Sequence, residues 1–109
     1  MNFDQKDVEA KGIRISIMDN DFEVGRAYIY LMHNGLHDRP FALMEDVYLD
    51  ESYRGKGIGS ELVRKVIEIA TESNCYKLIA TSRISRPKVH ELYQRLGFSQ
   101  HGFEFRIDL

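Results

Sequence analysis

The sequence predicts a single domain over residues 1–109 with an α+β (mixed α/β) fold, in which a mixed, mostly antiparallel sheet is flanked by two helices. Three observations support this class. Residues 12–18 alternate apolar and polar side chains and residues 22–32 are rich in β-formers. The period changes to 3.6 residues at Ile58, and Pro87 opens a second helical pattern after a short apolar run. The predicted order of elements is therefore β-β-β-α-β-α-β.

Three strands are predicted in the first half of the chain. Residues 12–18 alternate apolar and polar side chains, which is the period of a half-buried strand. The Asp-Asn-Asp sequence at 19–21 indicates a turn, because these short side chains bond to nearby backbone and tolerate positive φ. The β-formers of 22–32 follow at once, so we expect a hairpin. A third strand covers 41–49, after Pro40, and leads into an acidic, glycine-rich loop.

Two helices and two further strands are predicted in the second half. An amphipathic helix runs from Ile58 to about residue 74, and its apolar stripe consists of Ile58, Leu62, Val66 and Ala70. Residues 76–81 form a short, buried strand. A second helix begins near Pro87 and ends at Gly97, since proline suits a first turn and glycine suits a C-terminal cap. The alternation of 103–109 predicts a last strand.

Composition excludes several classes of partner and location. The 15 basic and 17 acidic side chains give a net charge of −2, which argues against duplex DNA or an anionic membrane as the main partner. The single Cys75 forms no internal disulfide and favours a reducing compartment. The first 12 residues lack the apolar segment of a signal peptide, and no apolar run approaches the ~20 residues of a membrane span. We therefore expect a cytoplasmic protein.

The glycine-rich loop from Arg54 to Gly59 lies between a predicted strand and a predicted helix. Its three glycines permit unusual backbone angles and close approach of a ligand. The unpaired amides of the first helical turn favour an anion such as a phosphate. The spacing fits neither a Walker loop nor a dinucleotide-binding fingerprint. The alternative is a glycine-rich turn without a ligand.

Neither candidate group of metal ligands fits a metal site. Asp19, Asp21 and Glu23 lack the later glycine and glutamate of a calcium-binding loop. His33 and His37 have helical zinc spacing, but Asn-Gly lies between them and no third ligand is evident. We predict no metal.

Two motifs carry a family resemblance. The stretch from Val47 to Gly59 resembles the acetyl-CoA signature of the GNAT superfamily of N-acetyltransferases, whose core R/Q-x-x-G-x-G/A is matched by Arg54, Gly57 and Gly59. The segment 90–98 resembles the family's second signature, a helix that ends in Tyr-x-x-x-Gly-Phe. The resemblance covers 41–109 well and the first 40 residues in outline. It implies a GNAT-like fold without the family's first helical pair, because only residues 19–21 separate the first two strands. The acceptor pocket is then open, or completed by a second subunit in a homodimer.

The resemblance implies transfer of acetyl from acetyl-CoA to an amine, by direct attack in a ternary complex. The pyrophosphate would rest on the amides from Gly55 to Ser60, and the pantetheine arm would pair with the backbone of Val47 and Leu49. Arg86 either pairs with a CoA phosphate or is a solvated surface residue. The implied cofactor-binding residues are Val47, Tyr48, Leu49, Arg54, Gly55, Lys56, Gly57, Ile58, Gly59, Ser60 and Arg86.

Three residues are candidates for catalysis. Tyr93 matches the family's general acid for the departing thiolate, although its apolar neighbours also fit a core aromatic residue. Because an amine of pKa ~10.4 is only about a thousandth neutral at pH 7, a base is needed. Glu45 and Asp46 are candidates for it, and they resemble the Glu-Asp segment of polyamine acetyltransferases that holds a cationic acceptor. Adjacent strand residues face opposite sides unless the strand is bulged, and either acid also fits a solvated edge.

A second class of function stays open at this point. The chain also fits a catalytically silent acyl-CoA-binding or interaction module, since binding needs the glycine loop but not Tyr93.

Overall fold

The computed structural model describes all 109 residues and confirms the predicted mixed class. It contains four strands, one short 3-10 helix and two α-helices. In chain order they are β1 (Ala10–Asp19), β2 (Phe22–Met32), β3 (Phe41–Leu49), the 3-10 helix (Glu51–Tyr53), α1 (Ile58–Glu72), β4 (Leu78–Ala80) and α2 (Pro87–Arg95). No helix is long and apolar enough to cross a lipid bilayer.

The sheet has the order β1-β2-β3-β4. The pairs β1–β2 and β2–β3 are antiparallel, whereas β3 and β4 are parallel. The predicted hairpin is confirmed, with Asp19 opposite Phe22 and Asn20 at a φ of 54° in the turn. Asparagine tolerates this left-handed conformation better than most residues. The turn leaves no helix between β1 and β2, in agreement with the prediction.

The core lies between one face of the sheet and α1. The helix has its predicted period and buries Leu62, Val63, Val66 and Ala70, as expected for an amphipathic helix on a sheet. The sheet contributes the buried side chains Ala27, Ile29, Ala42 and Met44 to the same cluster. Burying this apolar face is the main stabilising contribution to the domain, and it fixes α1 against the sheet.

The prediction of a last strand at 103–109 is wrong. These residues have no regular secondary structure, and every one of them is exposed. Alternation favours an extended chain, but a strand exists only when its backbone groups pair with a neighbouring strand. No strand pairs with this segment. The observed order is therefore β-β-β-α-β-α.

Candidate functional site

The chain turns sharply between β3 and α1. Gly55 and Gly57 have φ of 77° and 83°, which glycine adopts without steric cost. Gly57 is the N-cap residue of α1, and no side chain caps that end. The amide of Glu61 bonds to the carbonyl of Gly57 at 3.1 Å. The amides of residues 58–60 precede this bond and have no partner within the helix.

This loop offers open space as well as amides. A β-carbon at Gly55, Gly57 or Gly59 would meet no atom within 4 Å. Gly59 lies inside α1 and has no positive φ, so glycine is not needed there for a turn. Its lack of a side chain instead allows a ligand to approach the backbone closely. Free amides and the positive end of the helix dipole attract anions. The arrangement suits a phosphate.

Two basic side chains flank the loop. Arg54 donates from Nε to the carbonyl of Leu49 at 2.8 Å, and its guanidinium lies 5.7 Å from the ring centroid of Tyr48. Lys56 places Nζ 6.0 Å from the ring centroid of Tyr53. Both cations are exposed, so they add positive potential that salt screens.

The sheet opens at the residues that precede the loop. β4 pairs with β3 only at Ala42, Leu43 and Met44. Beyond Met44, β3 continues to Leu49 with β2 on one side and no strand on the other. The unpaired side presents main-chain donors and acceptors along the stretch that contains Val47, Tyr48 and Leu49. An extended ligand arm with amide groups can pair with such an edge.

A β-bulge lies in the middle of this stretch. The pairing of β2 with β3 shifts between Arg26 and Tyr28, so that Asp46 and Val47 together lie opposite Ala27. Asp46 has a φ of 50°, which is unusual for a residue other than glycine. Strict alternation therefore does not hold across residues 45–47.

The two candidate acids differ in their partners. Asp46 accepts hydrogen bonds from Nε and Nη2 of Arg26, both at 3.2 Å, and forms an ion pair with it. Glu45 is exposed and forms no ion pair within the chain. The charge of Asp46 is thus compensated, whereas that of Glu45 is not. The role of either acid as a base stays a prediction.

Tyr93 lies half-buried on α2. Its ring contacts the core cluster and has its centroid 5.3 Å from that of Phe98. Burial raises the pKa of Tyr93, and the negative charge of Glu45 raises it further. A neutral, protonated phenol is therefore the stable form at neutral pH. The charge of Glu45 on β3 therefore acts on Tyr93 of α2.

Arg86 is the N-cap residue of α2. It is exposed, and its side chain neither caps the helix nor forms an ion pair. The two interpretations given for it from the sequence both stay open.

Sequence reasoning missed two arginines at this site. Arg26 anchors the bulge, and Arg95 donates to the hydroxyl of buried Ser60 at 2.9 Å. The Ser60 hydroxyl oxygen therefore accepts from Arg95, and the Ser60 amide, in the first turn of α1, has no partner within the helix. Arg26 is next to the buried Ala27 in β2, and adjacent strand residues face opposite sides of a sheet. Its pairing with Asp46 depends on the register between strands, which no local pattern encodes.

No group of three or more His, Cys, Asp or Glu side chains is placed to hold a metal ion. The lone thiol, Cys75, lies half-buried, and burial raises its pKa. A raised pKa disfavours the thiolate that nucleophilic chemistry requires.

The chain is similar to curated proteins of known description. The chain is 41% identical over 66 residues to a glucosamine 6-phosphate N-acetyltransferase of Trypanosoma brucei brucei, which covers 61% of this chain and 43% of that protein. It is 34% identical over 74 residues to a thialysine N-epsilon-acetyltransferase of Bos taurus, which covers 68% of this chain and 43% of that protein. The chain thus spans less than half the length of these curated relatives.

A solved structure and a family model agree with these matches. The fold superposes with a TM-score of 0.80 and 34% identity on a putative acetyltransferase from Agrobacterium tumefaciens, covering 86% of this chain and 66% of that one. The model of the acetyltransferase (GNAT) family matches residues 9–98. The chain therefore belongs to the GNAT family of acetyltransferases.

Proposed function

We propose that this domain transfers an acetyl group from acetyl-CoA to an amine by direct attack within a ternary complex. The observation that carries the proposal is the opening of the sheet beyond Met44, next to the uncapped N-terminus of α1. One feature accepts an extended amide-containing arm and the other accepts phosphates. Both belong to a single continuous segment, so one elongated ligand can contact both.

The residues present fit acetyl-CoA. Its phosphates would meet the amides of residues 58–60 and the space above Gly55 and Gly57. Its pantetheine amides would meet the unpaired edge of β3 at Val47 and Leu49. Arg54 and Lys56 add positive charge beside the phosphates. This binding uses main-chain groups and leaves the side chains of Val47 and Leu49 out of the contact.

The chemistry requires two proton movements. The amine nitrogen attacks the thioester carbonyl, the C–S bond breaks, and the sulfur leaves as a thiolate. Tyr93 donates its phenolic proton to that sulfur, and its raised pKa keeps this proton in place until the thiolate forms. The proton lost by the amine passes to water beside Glu45, whose carboxylate keeps its charge. The reaction ends with an amide and free CoA thiol, and the phenolate of Tyr93 regains a proton from solvent.

A panel of amines tests the proposal. Purified protein is mixed with acetyl-CoA and with glucosamine 6-phosphate, a lysine analogue, a diamine or a peptide with a free N-terminus, and release of CoA thiol is measured. Turnover with one of these amines is the expected result. Tight binding of acetyl-CoA with no turnover on any amine would instead favour the silent acyl-CoA-binding module.

We also propose that the acceptor is a cation, such as a diamine. Glu45 is exposed, forms no ion pair within the chain and lies opposite Tyr28 of β2. Its carboxylate would hold a remote ammonium group and raise the local concentration of a cationic substrate. The same charge opposes deprotonation of the attacking nitrogen, so a second amino group suits the site better than a single one.

Glu45→Gln is therefore expected to raise KM for a diamine by about two- to fivefold, as loss of one exposed ion pair predicts. KM for an amine with a neutral tail should change less. Glu72→Gln, at the far end of α1, removes an equally exposed acid and serves as the control. Equal effects on both amines, or a preference for acidic acceptors in the panel, would contradict a cation site.

We further propose that two copies of the chain associate through residues 103–109. Arg106 and Asp108, two residues apart, form an ion pair at 2.7 Å, so their side chains lie on the same side of the segment. The other face carries Phe103, Phe105, Ile107 and Leu109, each at least 79% exposed. The outer edge of β4 is unpaired. In a two-fold dimer, residues 103–109 of each copy would pair with the β4 edge of the other. This exchange would bury the apolar side chains and pair the free strand edge.

Light scattering coupled to size exclusion tests this association. The protein is expected to be a dimer, and Phe105→Asp should convert it to a monomer because the apolar face is lost. Arg106→Gln, on the opposite face of the segment, should stay dimeric. A monomeric parent protein at high concentration would overturn the proposal.

A further inference from the structure

Asp46 adopts an unfavourable conformation inside a strand. Three non-glycine residues have positive φ, and the other two are asparagines in turns, Asn20 and Asn74. Asp46 differs because it lies within β3, in the bulge opposite Ala27. Such a conformation persists only when surrounding contacts hold it, and these sites cluster where backbone geometry matters for function.

The contacts that hold Asp46 come from β2. Arg26 donates two hydrogen bonds to the carboxylate of Asp46, both at 3.2 Å. The hydrogen bond with Asp46 also raises the pKa of Arg26, so the guanidinium stays charged. Arg26 itself is firmly placed, because β2 pairs on both sides and the next residue, Ala27, is completely buried.

Arg26 also reaches the residues beyond the bulge. Its guanidinium lies 4.9 Å from the ring centroid of Tyr48, and Arg54 lies 5.7 Å from that centroid. Arg54 in turn bonds to the carbonyl of Leu49. A continuous set of contacts thus runs from Asp46 through Arg26, Tyr48 and Arg54 to the glycine loop.

We propose that Arg26 is a positioning residue for acetyl-CoA, which it serves without touching the ligand. It holds the Asp46–Val47 bulge in its left-handed form and so sets the direction of the main-chain groups at Val47 and Leu49. Without the Arg26 side chain, Asp46 relaxes toward extended backbone and the bulge is lost. A one-residue change of register reverses the direction of every later residue in a strand, so the main-chain groups of residues 47–49 would no longer point toward the ligand. That the ligand is acetyl-CoA rests on the proposed function, whereas the role of Arg26 in holding the bulge does not.

The Arg26–Asp46 ion pair is expected to contribute little to the stability of the fold. The side chains of Arg26 and Asp46 are 31% and 57% exposed, and exposed ion pairs contribute little to folding. A second pair on the same face, Arg14 with Glu23, has similar exposure at 45% and 31%. It joins β1 to β2 and includes no residue of β3, so it provides a matched control.

The test compares Arg26→Gln with Arg14→Gln by calorimetric titration with acetyl-CoA. Arg26→Gln is expected to weaken binding about tenfold, since backbone strain at one left-handed residue corresponds to roughly that factor in an equilibrium constant. KM for acetyl-CoA should rise by a similar factor, with kcat at saturation changed less. The Arg14→Gln protein should bind as the parent does.

Rescue separates positioning from a merely structural role. Asp46→Gly in the Arg26→Gln background should restore binding, because glycine adopts a φ of 50° without an anchor. Backbone chemical shifts of residues 46 and 47 provide a readout that needs no ligand, and Arg26→Gln should move them toward extended values. Unchanged shifts, or unrestored binding in the double variant, would overturn the inference. If the parent protein does not bind acetyl-CoA, the proposed function fails, and the shifts still decide whether Arg26 holds the bulge.

Discussion

Replacing Gly57 with glutamate is expected to abolish acetyl-CoA binding while the fold persists. The new β-carbon and carboxylate would enter the open space above the amides of residues 58–60, where phosphate is expected. Like charges placed together at a binding surface are strongly unfavourable, so the loss should exceed about 100-fold in Kd. Isothermal calorimetry measures the binding, and circular dichroism confirms the fold.

Gly35→Glu is the matched control for this variant. Gly35 has a φ of 78° and Gly57 one of 83°, and neither has an atom within 4 Å of a built β-carbon. Both substitutions should therefore lower the free energy of unfolding by about 1–2 kcal/mol, the cost of a left-handed conformation for other residues. Only Gly57→Glu should lose the ligand. Unchanged binding by Gly57→Glu would show that phosphate does not rest on this loop.

Tyr93→Phe is expected to lower kcat by about 10²–10⁴-fold, the usual contribution of a general acid. The ring packs against the core and Phe98, and phenylalanine retains that packing. Thermal stability and acetyl-CoA affinity should therefore stay close to those of the parent. The kcat is measured from the initial rate of CoA thiol release at saturating amine.

The pH profile adds a second readout for Tyr93. Activity should rise between about pH 7 and 9 as the amine loses its proton. Burial and Glu45 raise the pKa of Tyr93 above its ordinary value of about 10, so the donor stays protonated across that window and activity falls only at higher pH. This falling limb should be absent from Tyr93→Phe. Tyr76→Phe, which alters another half-buried tyrosine, should leave kcat unchanged. An unchanged kcat in Tyr93→Phe would make Tyr93 a core aromatic residue.

The helical and hairpin elements were predictable because their signals are local. The stripe that begins at Ile58 has a 3.6-residue period, and α1 begins at that residue and ends at Glu72, two residues before the predicted end. The turn at 19–21 closes the β1–β2 hairpin with the expected side chains. The strand predicted at 103–109 failed for the opposite reason. Its alternation is as clear as that of 12–18, but strand pairing depends on a distant edge that the segment does not contact.

The candidate site likewise has features that local sequence predicts and features that depend on the tertiary structure. The sequence by itself determined the glycine loop and the family, because backbone freedom at Gly55 and Gly57 and the spacing from Arg54 to Gly59 are properties of contiguous residues. Only the tertiary structure decided that β3 separates from β4 beyond Met44, that a bulge lies at Asp46, and that Arg26 compensates one acid and leaves Glu45 uncompensated. These features depend on register between strands, which is set by the packing of whole faces rather than by the residues of any one strand.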